Sequence, residues 1–319
     1  MRRLRPMGIA DILDESVDLY KSNFILLVGI AAILYVPYFL LQRLVQATIP
    51  PGVTQQQQIA AALGIFAISL VAALFVTPIV TGALTFAISD RYLSREASIR
   101  GCYSRVFRGG VFWRLFAAIL LKDLIWIGAL VVIMIPAILV GFAGPRVGPI
   151  VAILVLVVVV LAAIIGAIVL ALKLWMVEPA LILETRGAGD AIGRSWALMR
   201  GNLRKALSLF VVVGFVVAVI ALIVTGPTQM IITAGEKSGQ PVSHWIVALD
   251  VVLGMLANVL LTPFMSIVAI LLYYDIRMRR EGFDLQVMAE ELDAKARDFT
   301  AREVPAMPQE QLRSPEEPQ

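Results

Sequence analysis

Residues 153–161 read Ile-Leu-Val-Leu-Val-Val-Val-Val-Leu, a stretch that is apolar on every face of a helix. It lies within a longer apolar run, 150–176, whose one charged residue is Lys173. A bilayer core of about 30 Å needs about 20 apolar residues in a helix to cross it. A run of this length, with no alternation of apolar and polar residues, predicts a transmembrane α-helix and excludes a β-barrel strand.

The rest of the chain has the same character. Of its 319 residues, 60% are hydrophobic and 16% charged, and the mean hydropathy is +0.88. A soluble domain keeps about a quarter of its residues charged, so the polar residues here are too few to cover one globular core. We predict an all-α, polytopic membrane protein with a membrane domain over 24–276. Its six transmembrane helices are predicted at 24–46, 59–88, 111–141, 150–176, 206–233 and 244–274.

Lysine and arginine residues are unevenly divided between the two sides of these helices. Nearly all precede helix one, follow helix six, or lie in the connections from helix two to three and from four to five. The other side holds only Arg43, Arg146 and Lys237. Because basic loops stay inside, we predict a multi-pass protein of the plasma (inner) membrane with both termini in the cytoplasm. The net charge of +4 then indicates anchors at anionic lipid rather than a nucleic-acid partner.

A short pattern occurs three times, each time just before an odd-numbered run. The copies are 16–24 (Ser-x-x-Leu-Tyr-Lys-Ser-Asn-Phe), 103–111 (Tyr-x-x-Val-Phe-Arg-Gly-Gly-Val) and 195–203 (Ser-x-x-Leu-Met-Arg-Gly-Asn-Leu). The Gly, Ser or Asn pair after each cation is typical of a helix end. We predict three units, each an interfacial amphipathic helix on the cytoplasmic side followed by a membrane hairpin; the first such helix lies within 1–23. The alternative is convergence, because every copy precedes a membrane helix.

The interfacial helices are expected to lie in the headgroup plane with their apolar, aromatic side toward the lipid tails. Their terminal cations, Lys21, Arg108 and Arg200, are then candidate anchors for lipid phosphate. The predicted apolar faces are Ile9, Ile12, Leu13 and Tyr20 in the first copy, Ile99, Tyr103, Val106 and Phe107 in the second, and Ile192, Trp196 and Met199 in the third.

A second basic group follows helix six. Arg277, Arg279 and Arg280 are interpreted first as a topology anchor and second as a site for anionic lipid or a partner protein. Residues 277–299 also carry apolar side chains at helical spacing, which predicts a cytoplasmic amphipathic helix. Residues 300–319 are rich in proline and glutamate and are predicted to be disordered.

Helices two and six share a further pattern. Thr77-Pro78 and Thr262-Pro263 are each followed, twelve residues after the proline, by an aspartate, Asp90 and Asp275. Proline leaves a carbonyl without its usual N–H partner, and a neighbouring threonine hydroxyl can help to satisfy it inside lipid. The middle unit has Glu184 at a similar position after its second helix. The pattern favours three related units.

Three segments resemble a family of bacterial and archaeal membrane proteins named for the membrane domain of glycerophosphoryl diester phosphodiesterase. They are 8–24 (Gly-Ile-Ala-Asp-Ile-Leu-Asp-Glu-Ser-Val-Asp-Leu-Tyr-Lys-Ser-Asn-Phe), 191–202 (Ala-Ile-Gly-Arg-Ser-Trp-Ala-Leu-Met-Arg-Gly-Asn) and 273–285 (Tyr-Tyr-Asp-Ile-Arg-Met-Arg-Arg-Glu-Gly-Phe-Asp-Leu). The resemblance implies a six-helix membrane module of poorly defined role. The phosphodiesterase activity is not expected here, because the residues after helix six are too few for a catalytic barrel and the chain has one histidine, His244.

Three ionisable residues lie inside the predicted spans and are candidates for an intramembrane polar site. Lys122 and Asp123 are in helix three, and Asp250 is two turns into helix six. Charges within a bilayer are costly and mark functional sites by default. Counted from opposite ends, Lys122 and Asp250 reach comparable depths, which favours an interhelical pair. The pair would hold the bundle together, line a polar cavity, or relay protons or ions.

No catalytic, cofactor-binding or metal-ligating constellation accompanies these charges in the sequence. One histidine and one cysteine are too few soft ligands for an ordinary zinc site. The leading hypothesis is therefore a non-enzymatic membrane module that organises membrane lipids or partner membrane proteins at the cytoplasmic face. The alternative is a small transporter or permease with a polar cavity around helices three and six. An enzyme acting on lipid ranks third, because convergent titratable groups are missing from the pattern.

Overall fold

The structure is a computed structural model that describes residues 6–47, 54–184, 186–238 and 242–282. Within those ranges the secondary structure is helical throughout, with no strand. Most of the predicted amphipathic helix 277–299 and all of the predicted disordered tail 300–319 lie outside the described residues. The part of that predicted helix which is described, up to Glu281, continues the last long helix.

Eleven helices occupy the described residues, and six segments are long and apolar enough to cross a membrane, which confirms the predicted fold class. A π-helical turn, Ala72–Val76, joins the third helix to the fourth. The helices are α1 (Ile9–Ser22), α2 (Phe24–Ala47), α3 (Gln55–Val71), α4 (Thr77–Tyr92), α5 (Ile99–Phe107), α6 (Val111–Val147), α7 (Pro149–Leu174), α8 (Val177–Leu183), α9 (Ala188–Met199), α10 (Leu203–Ser238) and α11 (His244–Glu281).

The second predicted span is interrupted, and the fourth ends two residues before its predicted end. The second one changes to the π-helical turn just before Pro78, and the Thr77 hydroxyl donates to the Ala72 carbonyl at 3.4 Å, as expected of a threonine beside a proline. The fourth one ends at Leu174, and α8 follows as a separate helix. Ser195 holds this break, because its hydroxyl donates to the Lys173 carbonyl (2.6 Å) and accepts from the Met176 amide (3.2 Å).

The three repeated patterns each end a short helix and begin a long one, as predicted. α1, α5 and α9 precede α2, α6 and α10 directly. Gly109 and Gly201 have positive φ angles of 61° and 78°, a conformation that favours glycine where a helix ends. Asn23 and Asn202, at the same place in their copies, donate to carbonyls four residues back at 3.1 and 2.9 Å. The turn residues therefore end the short helix in the same way in different copies.

The orientation of the short helices agrees with the expected one only in part. Their most buried residues face the helix bundle and not the lipid: Ile12, Ser16 and Leu19 in α1, Cys102 and Val106 in α5, and Ala191, Ser195, Leu198 and Met199 in α9. Phe107 and Trp196, two aromatic residues expected to face the lipid tails, are exposed on the protein surface by 60% and 38%, whereas Ile12, Val106 and Met199 of the predicted apolar faces pack into the bundle. The physical reason is that the bundle offers these helices a close-packed protein surface.

The three units close into a ring. α5 packs on α4, α9 packs on α8, and α1 packs on α11, so each short helix rests on the last helix of the preceding unit and the first unit rests on the third. We call the end of the bundle that carries α1, α5, α8 and α9 the charged end. The opposite end, where α6 meets α7, is the apolar end.

The core lies at the charged end. α11 buries residues from Val259 to Met278 and none of those from His244 to Asn258. In α7 only Leu172 and Leu174 are buried among the side chains that the structure describes. Toward the apolar end, the side chains of α6 and α7 are left for lipid to cover.

Candidate functional site

Lys122 pairs with Glu178 of α8 and not with Asp250. The Lys122 ammonium group donates to Oε1 of Glu178, and both side chains are largely buried, with 24% and 13% of their surfaces exposed. The prediction of a Lys122–Asp250 pair was wrong because the first turns of α6 extend well beyond the end of α7. The first turns of α6 pack beside α8 and α9, so a residue eleven positions into α6 lies level with the start of α8.

Asp250 has a separate environment nearer the apolar end. Its two carboxylate oxygens accept from the Thr228 hydroxyl at 2.6 Å and from the Gln229 side-chain amide at 2.7 Å. Both donors belong to α10, so this carboxylate links α10 to α11. The contacts favour a structural interpretation of Asp250.

Asp123 lies next to Lys122 and feels the charges of both Lys122 and Glu178. Its side chain makes no hydrogen bond or ion pair with any described residue. One cation and two carboxylates are therefore gathered where α6 passes α8. Their formal charges sum to −1.

A polar cavity of about 420 Å³ adjoins the Lys122–Glu178 pair. Four helices form its wall: α4, α8, α10 and α11 together with Trp175. Its polar lining groups are the side chains of Thr81, Thr85, Glu178, Asn258, Thr262 and Ser266. The prediction of a cavity around helices three and six was wrong about its walls: none of the described residues of α6 lines this cavity, and α11 contributes Asn258 rather than Asp250.

A second group of charges occupies the charged end, where each unit has one carboxylate within or directly after its last helix. Asp90 forms an ion pair with Arg105 of α5. Glu184 accepts from Arg194 of α9 at 3.0 Å. Asp275, whose side chain is fully buried, accepts from the backbone amide of Met7 at 2.7 Å, just ahead of α1.

These three contacts repeat one relation around the ring. In each, a carboxylate at the end of one unit holds the short helix of the next, or the residue that leads into it. The third contact is the one that closes the ring, and the Lys205 ammonium group completes it by bonding Asp275 and the Met7 carbonyl, each at 2.5 Å. The sequence pattern located the carboxylates, and the structure identifies their partners.

The model of one protein family matches residues 7–276, which include all three units and both residues of the Met7–Asp275 contact. The chain belongs to the family described as a domain of unknown function, DUF7847. No curated protein and no solved structure matches it.

The DUF7847 domain uses its candidate anchor cations in two ways. Arg277 bonds Glu281 within α11 at 3.1 Å and lies 3.9 Å from Glu184. Arg279 donates to Asp275 within α11 at 3.0 Å and to the Met7 carbonyl at 2.8 Å. Arg280 donates to the Ala197 carbonyl at 2.9 Å and to the carbonyl of Arg200, at the end of α9. These three arginines therefore hold α11 to its neighbours, which the sequence interpretation as membrane anchors did not anticipate.

The other three candidate anchors behave differently. Lys21, Arg108 and Arg200 are exposed, and the side chain of each lacks an ion-pair or hydrogen-bond partner among the described residues. They occupy the same position in the three copies of the pattern, immediately before the turn into a long helix. Three equivalent cations are thus presented outward around the charged end.

Glu184 accepts hydrogen bonds from three side chains, those of Tyr273, Arg186 and Arg194. Burial alone raises the pKa of Glu184, but hydrogen bonds from Tyr273, Arg186 and Arg194 outweigh burial and hold that pKa below its ordinary value. Burial likewise lowers the pKa of the Arg194 guanidinium, and its bonds to Glu281 and Glu184 more than reverse the effect. Both groups are therefore held in their charged forms.

The described residues bring no three His, Cys, Asp or Glu side chains together in a way that suits a metal ion. Sequence analysis missed Glu178, Lys205 and Arg194 as partners. Glu178 had a usable signal, since it is a charged residue directly before a proline at the end of a predicted span.

Proposed function

We propose that this DUF7847 protein is a non-enzymatic module of the plasma membrane that organises anionic lipid at the cytoplasmic face. The observation that carries the proposal is the outward presentation of Lys21, Arg108 and Arg200 at equivalent positions of three units. A basic side chain near an anionic leaflet gains about 1 kcal/mol. Since lysine and arginine also cluster on this side of the spans, the charged end is the one that faces the cytoplasm.

Exposed apolar side chains beside the three cations support the same function. Ile25 is 84% exposed next to Lys21, Phe107 is 60% exposed next to Arg108, and Trp196 lies one turn before Arg200. A cation flanked by exposed apolar groups matches the boundary between headgroups and acyl chains. Each corner of the ring can therefore bind a phosphate group and rest on the lipid tails beneath it.

A groove of about 770 Å³ between α6 and α7 adds a place for an acyl chain. Its lining is almost entirely apolar, with Lys173 and Trp196 at one end, and the Lys173 ammonium group lies 4.1 Å from the centre of the Trp196 ring. From Ala163 to Lys173 the groove follows α7 for about 15 Å, half of a bilayer core of about 30 Å. One leaflet of lipid has this depth, and Lys173 is positioned for its headgroup.

The test is the lipid composition around the protein in nanodiscs made from equal phosphatidylglycerol and phosphatidylcholine. We expect the wild-type protein to enrich phosphatidylglycerol, as measured by mass spectrometry of the intact complexes. The triple variant Lys21→Gln, Arg108→Gln, Arg200→Gln should lose about fivefold in enrichment for each cation removed, because 1 kcal/mol per cation is at stake.

A matched triple variant removes the same charge from exposed positions outside the pattern: Arg95→Gln, Arg100→Gln and Lys237→Gln. This control should retain the enrichment. Equal losses in the two triple variants would show that net charge alone attracts the lipid, and a wild-type protein without enrichment would remove the proposal altogether.

A small transporter is the second candidate, and the polar cavity between α4, α8, α10 and α11 favours it. Pro78 and Pro263 lie in two of the helices around the cavity, and interrupted helices beside a midplane site are a common feature of transporters. Proteoliposomes that take up no solute from a panel of amines, amino acids and sugars would exclude this candidate.

A further inference from the structure

We propose that the polar cavity between α4, α8, α10 and α11 binds a small organic cation, an alkylammonium group with a short apolar chain. The inference goes beyond the anionic-lipid proposal and uses different residues. It concerns what the cavity binds, and it stands whether or not the bound molecule is transported.

The cavity offers hydrogen-bond acceptors. The Thr85 hydroxyl donates its proton to the Thr81 carbonyl at 2.7 Å, and the Ser266 hydroxyl donates to the Thr262 carbonyl at 3.0 Å. A hydroxyl has one proton and two lone pairs, so both of these lining residues retain acceptor capacity only. A ligand that donates hydrogen bonds suits such walls.

The carboxylate of Glu178 favours the same kind of ligand. Oε1 of Glu178 accepts from Lys122, whereas its Oε2 has no hydrogen-bond partner among the described residues. Asp123 follows Lys122 in α6 but does not line the cavity, so Oε2 of Glu178 is the carboxylate oxygen that a ligand in the cavity would meet. In surroundings of low dielectric constant a carboxylate oxygen that lacks a donor attracts a cation.

Asn258 adds a group that requires a polar neighbour. It lies 14 residues from the start of α11, about 21 Å along the helix, and its exposed side chain lines the cavity. Its amide makes no hydrogen bond with any described residue. At this depth a bare amide facing hydrocarbon would cost free energy, so the group fits a cavity that holds polar molecules.

The apolar part of the wall selects the rest of the ligand. Trp175, Val217, Ala221 and Met265 lie among the lining residues. An indole ring attracts organic cations, and aliphatic side chains accept a short alkyl group. A volume of about 420 Å³ is at the lower end of the range for small-molecule sites, about 300–1,000 Å³. Acceptors, negative charge, one indole and a small volume together specify an alkylammonium ion.

The experiment measures binding of n-butylammonium to the purified full-length protein by isothermal titration calorimetry. Uncharged n-butanol serves as the matched ligand. We expect saturable binding of the amine and none of the alcohol. Equal binding of the two ligands, or no binding of the amine, would overturn the proposal.

Three substitutions test whether the amine binds in this cavity. Thr85→Val and Ser266→Ala each remove one acceptor and should weaken amine binding about tenfold, the usual effect of one hydrogen bond to a charged group. Thr225→Val is the matched control, because Thr225 also donates to a carbonyl four residues back, at 2.9 Å, but lies outside the cavity. An equal loss in Thr225→Val would place the amine elsewhere.

Glu178→Gln should abolish amine binding through loss of charge, and the two hydroxyl variants keep the test decisive if this variant fails to fold. Uptake of radiolabelled butylammonium into proteoliposomes is measured alongside. Binding without uptake upholds the cavity site and excludes the transporter, whereas absent binding overturns the cavity site and leaves the lipid-enrichment result unaffected.

Discussion

Apolar side chains are covered by other parts of the protein at the charged end and by lipid at the apolar end. At the charged end, helices pack closely, and three carboxylates bind the short helices of neighbouring units. At the apolar end, residues such as Ile150 and Leu161 are 74% and 54% exposed, and lipid provides their contacts. Stability that depends on protein contacts should therefore reside at the charged end, and substitutions at the apolar end should be tolerated.

The largest expected difference in stability is between two variants that each lack one carboxylate, one at the charged end and one toward the apolar end. Asp275→Ala leaves Lys205 without its buried partner, and breaking such a pair costs about 3–5 kcal/mol. Asp250→Ala removes hydrogen bonds between two membrane helices, which average about 0.6 kcal/mol. Unfolding in mixed micelles of increasing dodecyl sulfate content measures both changes. Equal destabilisation by the two variants would contradict the division into two ends.

Two glycines provide a test of packing alone. A Cβ atom at Gly82 would lie 2.8 Å from Cδ1 of Leu115 and 3.1 Å from Cγ2 of Val106, both fully buried residues, whereas a Cβ at Gly128 meets nothing within 4 Å. Gly82→Ala should destabilise the protein by about 1–3 kcal/mol through overpacking. Gly128→Ala should be neutral or stabilising, because alanine favours helix. The same unfolding assay measures the difference, and a neutral Gly82→Ala would show that α4 is free to shift.

The smallest expected effect is a loss of folding stability at acidic pH. The pKa of Glu184 is held below its ordinary value, so ionised Glu184 stabilises the folded state above that ordinary value, and the stabilisation disappears as the pH falls through the folded-state pKa. The wild-type protein should lose about 1 kcal/mol on this account, the scale of one net hydrogen bond. Thermal unfolding between pH 7 and pH 3 tests this. Glu184→Gln should be less stable at pH 7 and should lack this part of the acid dependence.

Features that depend on one stretch of sequence could be predicted, and features that depend on packing could not. The six spans follow from apolar length, and the turns at Gly109 and Gly201 follow from residues that favour a helix end. The partner of Lys122 depends on how far α6 extends past α7. This relative position is set by the packing of the two helices and cannot be predicted from the sequence of either one. The burial of α1, α5 and α9 against the bundle was not predicted for a similar reason, since an apolar stripe packs equally well on lipid or on protein.

The three-unit pattern lies between these cases. It located Asp90, Glu184 and Asp275 correctly as equivalent residues, because each lies within or directly after the last helix of a unit. It also placed Lys21, Arg108 and Arg200 at equivalent positions. It did not distinguish them from Arg277, Arg279 and Arg280, because a cation that pairs within the protein and one that faces outward look alike in sequence.

The contact between Met7 and Asp275 joins residues that are 268 positions apart in the chain. A ribosome that adds about 5–20 residues per second needs roughly 13–54 s to make the second residue after the first. During that interval α1 has already left the ribosome but lacks the helix against which it finally rests. Its apolar stripe must wait at the membrane surface, so a segment that is synthesised before the six spans is among the last to reach its native position.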